Sequence, residues 1–166
     1  MKILGKNEIN KIIEKASSEK SRTFMIINVL VKTGVRVSEL LSITVNDILM
    51  EEKQIIIRGK GDKIRNIDVP SELLYMIRIY IKNKHLKGRK RLFPLTRDAV
   101  YKICKNVANI NPHAFRHSYA VELLRKTKNV RYVQTQLGHK TLDTTQVYLR
   151  YMDFSEDKKK LVELYK

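Results

Sequence analysis

The sequence predicts a mainly α-helical domain with one small antiparallel β-hairpin, an α+β fold. Apolar residues recur at helical spacing along most of the chain, and only residues 54–69 show strand-like patterning around a glycine-rich turn. The chain has 166 residues, 43% of them hydrophobic, which is enough to bury one core. We find no repeat or change in composition that would mark a second domain, so residues 1–166 are predicted to form a single domain.

Three helices are predicted before the hairpin, each with apolar residues on one face: Asn7–Ala16, Ser21–Lys32 and Val37–Ile43. Gly34 follows the second helix at a position typical of a helix C-cap, because glycine tolerates the left-handed backbone found there. Arg36 lies where the third helix begins.

Two short strands and the turn between them predict the hairpin. Gln54–Arg58 is rich in isoleucine, Gly59–Asp62 is a turn sequence, and Lys63–Val69 alternates apolar with polar residues. Pro70 ends the second strand, and Ser71 is predicted to cap the helix that follows.

Helices are also predicted for much of the remaining chain. They are the helix after Ser71, one capped by Thr96, His113–Arg125 introduced by Pro112, Val130–Leu137 ending at Gly138, and a charged tail of helical spacing over Glu156–Lys166. The segment between the helix after Ser71 and the helix capped by Thr96 is densely basic over Lys82–Arg91. Both a solvated loop and a phosphate-contacting loop fit this segment.

The charge balance gives the first indication of a partner. Lys and Arg number 34 against 17 Asp and Glu, a net charge of +17, and such a surface attracts polyanions such as nucleic acid. The alternative is a lysine-rich proteome in which surface lysines are common. No apolar run is long enough to cross a membrane, no Cys/His spacing suits zinc, and the single cysteine, Cys104, fits a reducing, cytoplasmic compartment.

Residues 111–120 contain side chains suited to phosphate chemistry. His113 and Arg116 are three residues apart and therefore share a helix face. The arginine offers a planar fork of donors to phosphate oxygens, and the histidine exchanges a proton near neutral pH. His117 is one residue further on and is predicted to point elsewhere, as a packed or capping histidine.

Two further segments offer cations. Arg36 follows a glycine turn at the start of a helix, which suits an anion; the alternative, favoured when the segment is taken alone, is a surface arginine paired with Glu39. Lys60 lies between two glycines at the tip of the hairpin, where a flexible turn could swing it toward a ligand. Taken alone, that segment also fits an ordinary turn.

Tyr148, within Thr141–Arg150, is the candidate nucleophile. His139 follows Gly138, and Tyr148 lies nine residues after His139, with Tyr151 as its rival three residues further on. A phenol has a pKa near 10 and needs help to attack at neutral pH, so neighbouring cations that favour the phenolate would be required.

In this order the segments resemble the tyrosine recombinase (phage integrase) family, most closely its Xer-like branch. TGVRVSELL around Arg36 resembles T-G-[LM]-R-[IV]-S-E-L, GKGDKIR around Lys60 resembles G-K-G-x-K-x-R, and HAFRH around Arg116 resembles H-x-L-R-H. L-G-H ending at His139 and T-T-x-x-Y ending at Tyr148 complete the family's order over nearly the whole chain.

The resemblance implies the fold of a tyrosine recombinase catalytic domain and a set of catalytic residues: Arg36, Lys60, His113, Arg116, His139 and Tyr148. In the implied reaction Tyr148 attacks the scissile phosphate, forms a 3′-phosphotyrosyl link and frees a 5′-hydroxyl. The arginines bind the non-bridging oxygens, and Lys60 protonates the leaving oxygen. His113 exchanges the tyrosine proton and His139 hydrogen-bonds the phosphate. Because the link conserves the bond energy, no nucleotide cofactor is expected. The cationic groups around the phosphate would account for catalysis without a metal, and the sequence shows no compact carboxylate cluster to bind one.

The same resemblance implies double-stranded DNA as the partner and four protomers on DNA in synapsis, with the free protein a monomer or a dimer and no membrane partner. The tail, residues 153–166, is expected to pack on a neighbouring protomer; the alternative is a helix folded back on its own core. We expect the family's N-terminal DNA-clamping domain to be absent, which would reduce affinity and site selectivity. A type IB topoisomerase, a non-catalytic DNA-binding integrase remnant and a general basic chromatin protein are the alternative functions.

Overall fold

The computed structural model describes residues 2–59, 61, 63–139 and 143–152. Over these residues the chain is mostly helical with one small antiparallel sheet, which confirms the predicted fold class. Lys60 and the tail 153–166 lie outside the described residues. Within the described part of the chain, no helix combines the length and the apolar character needed to cross a membrane.

Most of the predicted helices are present to within two residues at each end. Their bounds are α1 Lys6–Ser17, α2 Ser21–Thr33, α3 Val37–Ser42, α4 Ser71–Asn83, α5 Arg97–Ala108, α6 Pro112–Thr127, α7 Val130–Leu137 and α8 Asp143–Gln146. Helices α2 and α7 end at Gly34 and Gly138 in the left-handed conformation, as predicted. Thr96 caps α5, because its hydroxyl accepts from the Ala99 amide at 3.2 Å. Ser71 is instead the first residue of α4, so its predicted capping role is wrong.

The sheet has three antiparallel strands in the order β1 Ile48–Leu49, β2 Gln54–Arg58 and β3 Ile64–Asp68. Strands β2 and β3 form the predicted hairpin. Strand β1, like the 3₁₀ turn Val45–Asp47 before it, escaped prediction because two or three residues are too few to show a period.

One face of the hairpin is buried in the core. Ile57 and Ile67 are almost fully buried. Arg65 shares their face, since it lies two residues from Ile67 and directly opposite Ile57. Ile64 is 65% exposed and does not join the core, although the predicted alternation grouped it with Ile67. The register therefore turns an arginine inward, where it needs a partner.

Helix α2 lies at the centre of the fold, with α1, α4 and α6 packed against it. Seven of its 13 residues are buried, so it is enclosed on most sides. A second apolar cluster includes Leu124 from α6, Val133 and Leu137 from α7, and the ring of Tyr148. Burial of such side chains contributes about 1.5–3 kcal/mol each. The candidate nucleophile is therefore anchored by packing between α6 and α7.

Candidate functional site

Arg116 on α6 lies at the centre of the candidate site. It is 5% exposed, and its terminal nitrogens donate to the carbonyls of Gly34 at 2.8 Å and Leu137 at 2.7 Å. These carbonyls belong to the C-terminal ends of α2 and α7, which carry partial negative charge. Burial, and then the nearby charge of Arg36, lowers the pKa of Arg116 to about 10, so the guanidinium stays charged at neutral pH.

Arg36 lies two residues after Gly34, at the start of α3. Its amide donates to Oε2 of Glu39 at 2.8 Å and its Nη1 donates to Oε1 at 3.0 Å. The pairing that the sequence offered as an alternative is thus present. Arg36 nevertheless belongs to the cationic cluster, because its charge helps to lower the pKa of Arg116 and of His139. Its side chain is 40% exposed, which leaves the guanidinium accessible to a ligand.

Glu39 is buried and is shared by two arginines. Arg65 donates to both carboxylate oxygens, at 2.9 and 3.1 Å, and its Nε donates to the carbonyl of Gln136 at 3.1 Å. Burial alone would raise the pKa of Glu39, but the hydrogen bonds and charge of Arg65, together with Arg36, outweigh it and lower the pKa. The ionised carboxylate thereby fixes Arg36 against β3.

Arg65 also links the hairpin to the segment that carries His139. A Cβ atom on Gly138, whose φ is +64°, would lie 2.8 Å from Cζ of Arg65, so the guanidinium occupies the space of a side chain there. At the other end of the network, a Cβ on Gly59 would lie 3.9 Å from Oε1 of Glu39. The hairpin tip therefore begins beside the Glu39–Arg65 pair, and Lys60, the next residue, lies outside the described residues.

Tyr148 lies between α8 and a 3₁₀ turn over Leu149–Tyr151, and it is 2% exposed. Its hydroxyl is 2.9 Å from Nδ1 of His117. Its ring centre is 5.9 Å from that of His117 and 6.3 Å from that of His139, which is nearly parallel to it. Burial raises the pKa of Tyr148, while the charges of the two arginines oppose the rise.

His139 follows α7 and is held by a hydrogen-bond partner of its own. Its Nδ1 lies 2.8 Å from the hydroxyl of Thr145. Burial, and then the charges of Arg116, Arg36 and Arg65, lowers its pKa to about 4. The ring is therefore neutral at neutral pH, with its orientation fixed by Thr145.

His113 is exposed on the first turn of α6, and its ring centre is 6.5 Å from that of His117, one helical turn further on. Burial lowers its pKa, as do the charges of Arg116, Arg36 and Arg97. His113 therefore lies at the mouth of the cluster, and His117 lies deeper, against the phenol.

The two candidate tyrosines have different surroundings. Tyr148 contacts the histidines of the cluster, whereas the ring of Tyr151 lies 5.9 Å from the guanidinium carbon of Arg150. The backbone carbonyl of Tyr151 accepts from Arg125 at 3.3 Å. These contacts favour Tyr148 over its rival.

The structure thus brings five of the six predicted residues together: Arg36, His113, Arg116, His139 and Tyr148. Two charged arginines and neutral histidines around a phenol suit the binding of a phosphate ester, whose negative charge the arginines offset. Among the residues that the structure describes, no three His, Cys, Asp or Glu side chains are arranged to hold a metal ion.

A model of the phage integrase family matches residues 2–153 of this chain. The chain belongs to that family. Tyrosine recombinase XerA of Pyrococcus furiosus is 34% identical over 166 residues, a match that covers 90% of this integrase chain and 57% of that protein. The chain spans roughly half to three fifths of the length of the curated relatives it matches.

The chain is also similar to solved structures of recombinases and integrases. XerH site-specific recombinase bound to palindromic difH substrate, a post-cleavage complex, has a TM-score of 0.80 at 26% identity and covers 99% of this chain and 52% of the other. The catalytic domain of bacteriophage HP1 integrase has a TM-score of 0.75 at 20% identity and covers 95% of this chain and 92% of the other. These likenesses confirm the predicted fold of a tyrosine recombinase catalytic domain.

Sequence reasoning missed two residues of this integrase site. His117 was predicted to point away from the site, which is wrong, because its ring contacts the hydroxyl of Tyr148. The signal was its distance of four residues from His113, which places both rings on one helix face. The role of Arg65 follows only from the hairpin register that sets it opposite Ile57.

Proposed function

We propose that this chain is the catalytic domain of a site-specific DNA recombinase that cleaves and rejoins DNA through a 3′-phosphotyrosyl intermediate. The observation that carries the proposal is the position of Tyr148, whose hydroxyl contacts His117 and whose ionisation is favoured by the charges of Arg116 and Arg36. A phenol in that place can attack a phosphate that Arg36 and Arg116 hold. The XerH structure, a post-cleavage complex with its difH substrate, supports this chemistry for a similar protein.

The proposed reaction starts with a phosphodiester bound by Arg36 and Arg116. The Oη–P bond to Tyr148 forms as the P–O5′ bond breaks, and Lys60 gives the leaving oxygen a proton. His139 donates to a non-bridging oxygen. Its neutral ring carries one N–H for this purpose, and a bound phosphate would offset the arginine charges that lower its pKa.

The tyrosine proton passes to a histidine of α6. The resemblance assigns this role to His113, and the contact with the hydroxyl is made by His117. Rejoining is the reverse reaction, in which a 5′-hydroxyl displaces the phenolate and the histidine returns the proton. The positive charges stabilise the pentacoordinate phosphorus in both directions.

Double-stranded DNA is the proposed partner, since the net charge of +17 favours a polyanion and the XerH relative is bound to DNA. We place the reaction in the cytoplasm, where such DNA is found and where the buried Cys104 stays reduced. Synapsis would bring four protomers onto two duplexes.

The tail 153–166 is proposed to join neighbouring protomers in that assembly. Leu161 and Leu164 give it an apolar stripe. A groove of about 640 Å³ between α1, α2 and α6 is lined by apolar side chains such as Ile9, Val31 and Val121 and could receive it. Deleting residues 155–166 should abolish synapsis while cleavage persists. Loss of both would indicate that the tail folds onto its own core.

The proposed chemistry is tested with a pool of nicked duplexes of random sequence, in which the short cleaved strand diffuses away and traps the covalent intermediate. Wild-type protein should give protein–DNA adducts that survive denaturing electrophoresis, and the trapped duplexes are sequenced. Tyr148→Phe should give none, and Tyr151→Phe is the matched control that retains them.

Absence of adducts from the wild type would overturn the catalytic assignment in favour of a DNA-binding remnant or a chromatin protein. A trapped sequence is then offered in two intact duplexes. Exchange of strands is the expected result, whereas relaxation of supercoiled DNA without exchange would indicate a topoisomerase.

A further inference from the structure

On the basis of the proposed function, we propose that His117, rather than His113, is the catalytic residue that accepts the proton of Tyr148 during cleavage and returns it during rejoining. The starting observation is geometric. Nδ1 of His117 lies 2.9 Å from the Tyr148 hydroxyl, within range of a direct hydrogen bond between the phenol and the ring.

The proposed transfer uses one tautomer of the ring. With the ring proton on Nε2, Nδ1 accepts from the phenol, and proton transfer produces an imidazolium beside a phenolate. The electron pair of that phenolate then forms the Oη–P bond as the P–O5′ bond breaks. The proton stays on Nδ1 until the phenolate leaves again, so His117 ends each cycle unchanged.

The ring is held ready for this transfer. His117 is half-buried on α6, and the Tyr148 ring is packed in the cluster formed by α6 and α7. The ring of His139 also lies against the phenol, with its centre 6.3 Å away and its plane within 22° of parallel. Because the Tyr148 ring is buried and contacts both histidines, its hydroxyl is held near Nδ1 of His117.

Protonation of His117 would abolish this acceptor, so its surroundings decide the pH range in which it works. Among the described residues it faces His113 and Arg116 on its own helix, Tyr148, and His139 after α7. Burial, and then the charges of His113 and Arg116, lowers its pKa, which keeps the ring neutral and able to accept.

His113 is left with a different task. It is exposed at the mouth of the cluster, one helical turn nearer the helix start, where an incoming phosphate would meet it first. In this arrangement His113 donates to the phosphate, and His117 handles the proton of the nucleophile.

The test measures single-turnover adduct formation on a trapped duplex as a function of pH. The wild-type rate should rise with pH along a limb that reports a histidine, and then level off. His117→Asn places an amide oxygen near the position of Nδ1 and keeps the hydrogen bond without titrating. Its rate should be about 10²- to 10⁴-fold lower, the usual contribution of a general base, and the limb should be absent. His117→Ala should lose at least as much.

Two further measurements separate proton transfer from folding and from the leaving group. DNA affinity and the denaturation midpoint of His117→Asn should match those of the wild type. A duplex with sulfur in place of the bridging 5′-oxygen needs no proton on its leaving group. The His117 variants should therefore still cleave this duplex slowly. If the sulfur substitution restored their cleavage rate, the proposal would be overturned.

The remaining outcomes are also decisive. If the wild type forms no adduct, the proposed function fails and this inference fails with it. If the wild type forms adducts and His117→Asn keeps its rate and limb, only the inference fails. Loss of the limb in His113→Asn alone would assign the proton to His113, and faster cleavage by His117→Ala would show that the contact restrains Tyr148.

Discussion

Replacing Gly138 with alanine tests whether Arg65 holds the site together. Gly138 has a φ of +64°, and a Cβ there would lie 2.8 Å from Cζ and Nη1 of Arg65. Alanine in the left-handed conformation costs about 1–2 kcal/mol. The guanidinium must also shift and weaken its bonds to Glu39, and a hydrogen bond to a charged group contributes about 1.5–3 kcal/mol.

Gly88→Ala is the matched control for stability. Its φ is +60°, and nothing lies within 4 Å of a Cβ built there, so it should carry the backbone cost alone. We expect Gly88→Ala to lower the free energy of unfolding by about 1–2 kcal/mol and Gly138→Ala to lower it by about 1.5–3 kcal/mol more.

Equilibrium unfolding in urea measures both variants, and adduct formation measures the site in Gly138→Ala. Its cleavage should fall as well, because Arg65 connects β3 to Glu39 and to the segment before His139. Equal losses of stability in the two glycine variants would refute the idea that Arg65 is fixed over Gly138.

Three other outcomes are expected. Arg116→Lys should lower the free energy of unfolding by about 2–4 kcal/mol and the cleavage rate by about 100-fold or more, as measured by urea unfolding and adduct yield. One ammonium group cannot replace the guanidinium, which donates to the carbonyls of both Gly34 and Leu137. The free energy of unfolding should decrease as pH falls from 6.5 toward about 4, because His139 takes up a proton at a higher pH in the unfolded chain than in the folded one. His139→Gln should flatten this pH dependence. A pH dependence unchanged by the variant would contradict the lowered pKa of His139. Cys104 is fully buried and its pKa is raised to about 12, so iodoacetamide should label it only after denaturation, as mass spectrometry would show.

Much of the fold could be predicted because its helices carry long apolar periods and clear end signals. Gly34, Gly138 and Thr96 mark helix ends through backbone preferences that operate locally. Ile64 shows where local patterning fails: its alternation looked like that of a buried strand, but the hairpin register turns it to solvent.

The motifs predicted which segments form the site, but they did not predict the roles of two motif residues, Arg65 and His117, because those roles depend on distant contacts. Arg36 and Arg116 were found from their segments, and the structure adds what holds them, Glu39 and two helix ends. Arg65 and His117 acquire their partners from segments 26 and 31 residues away in the chain. No local period encodes contacts of that kind.

The most direct measurement identifies the tyrosine that carries the DNA. Trypsin cuts after Lys140, Arg150 and Lys158, so Tyr148 is the only tyrosine in peptide 141–150 and Tyr151 is the only one in peptide 151–158. The trapped adduct is digested with nuclease and trypsin and analysed by mass spectrometry. We predict that the residual nucleotide is attached to peptide 141–150, and its attachment to peptide 151–158 would contradict the central assignment.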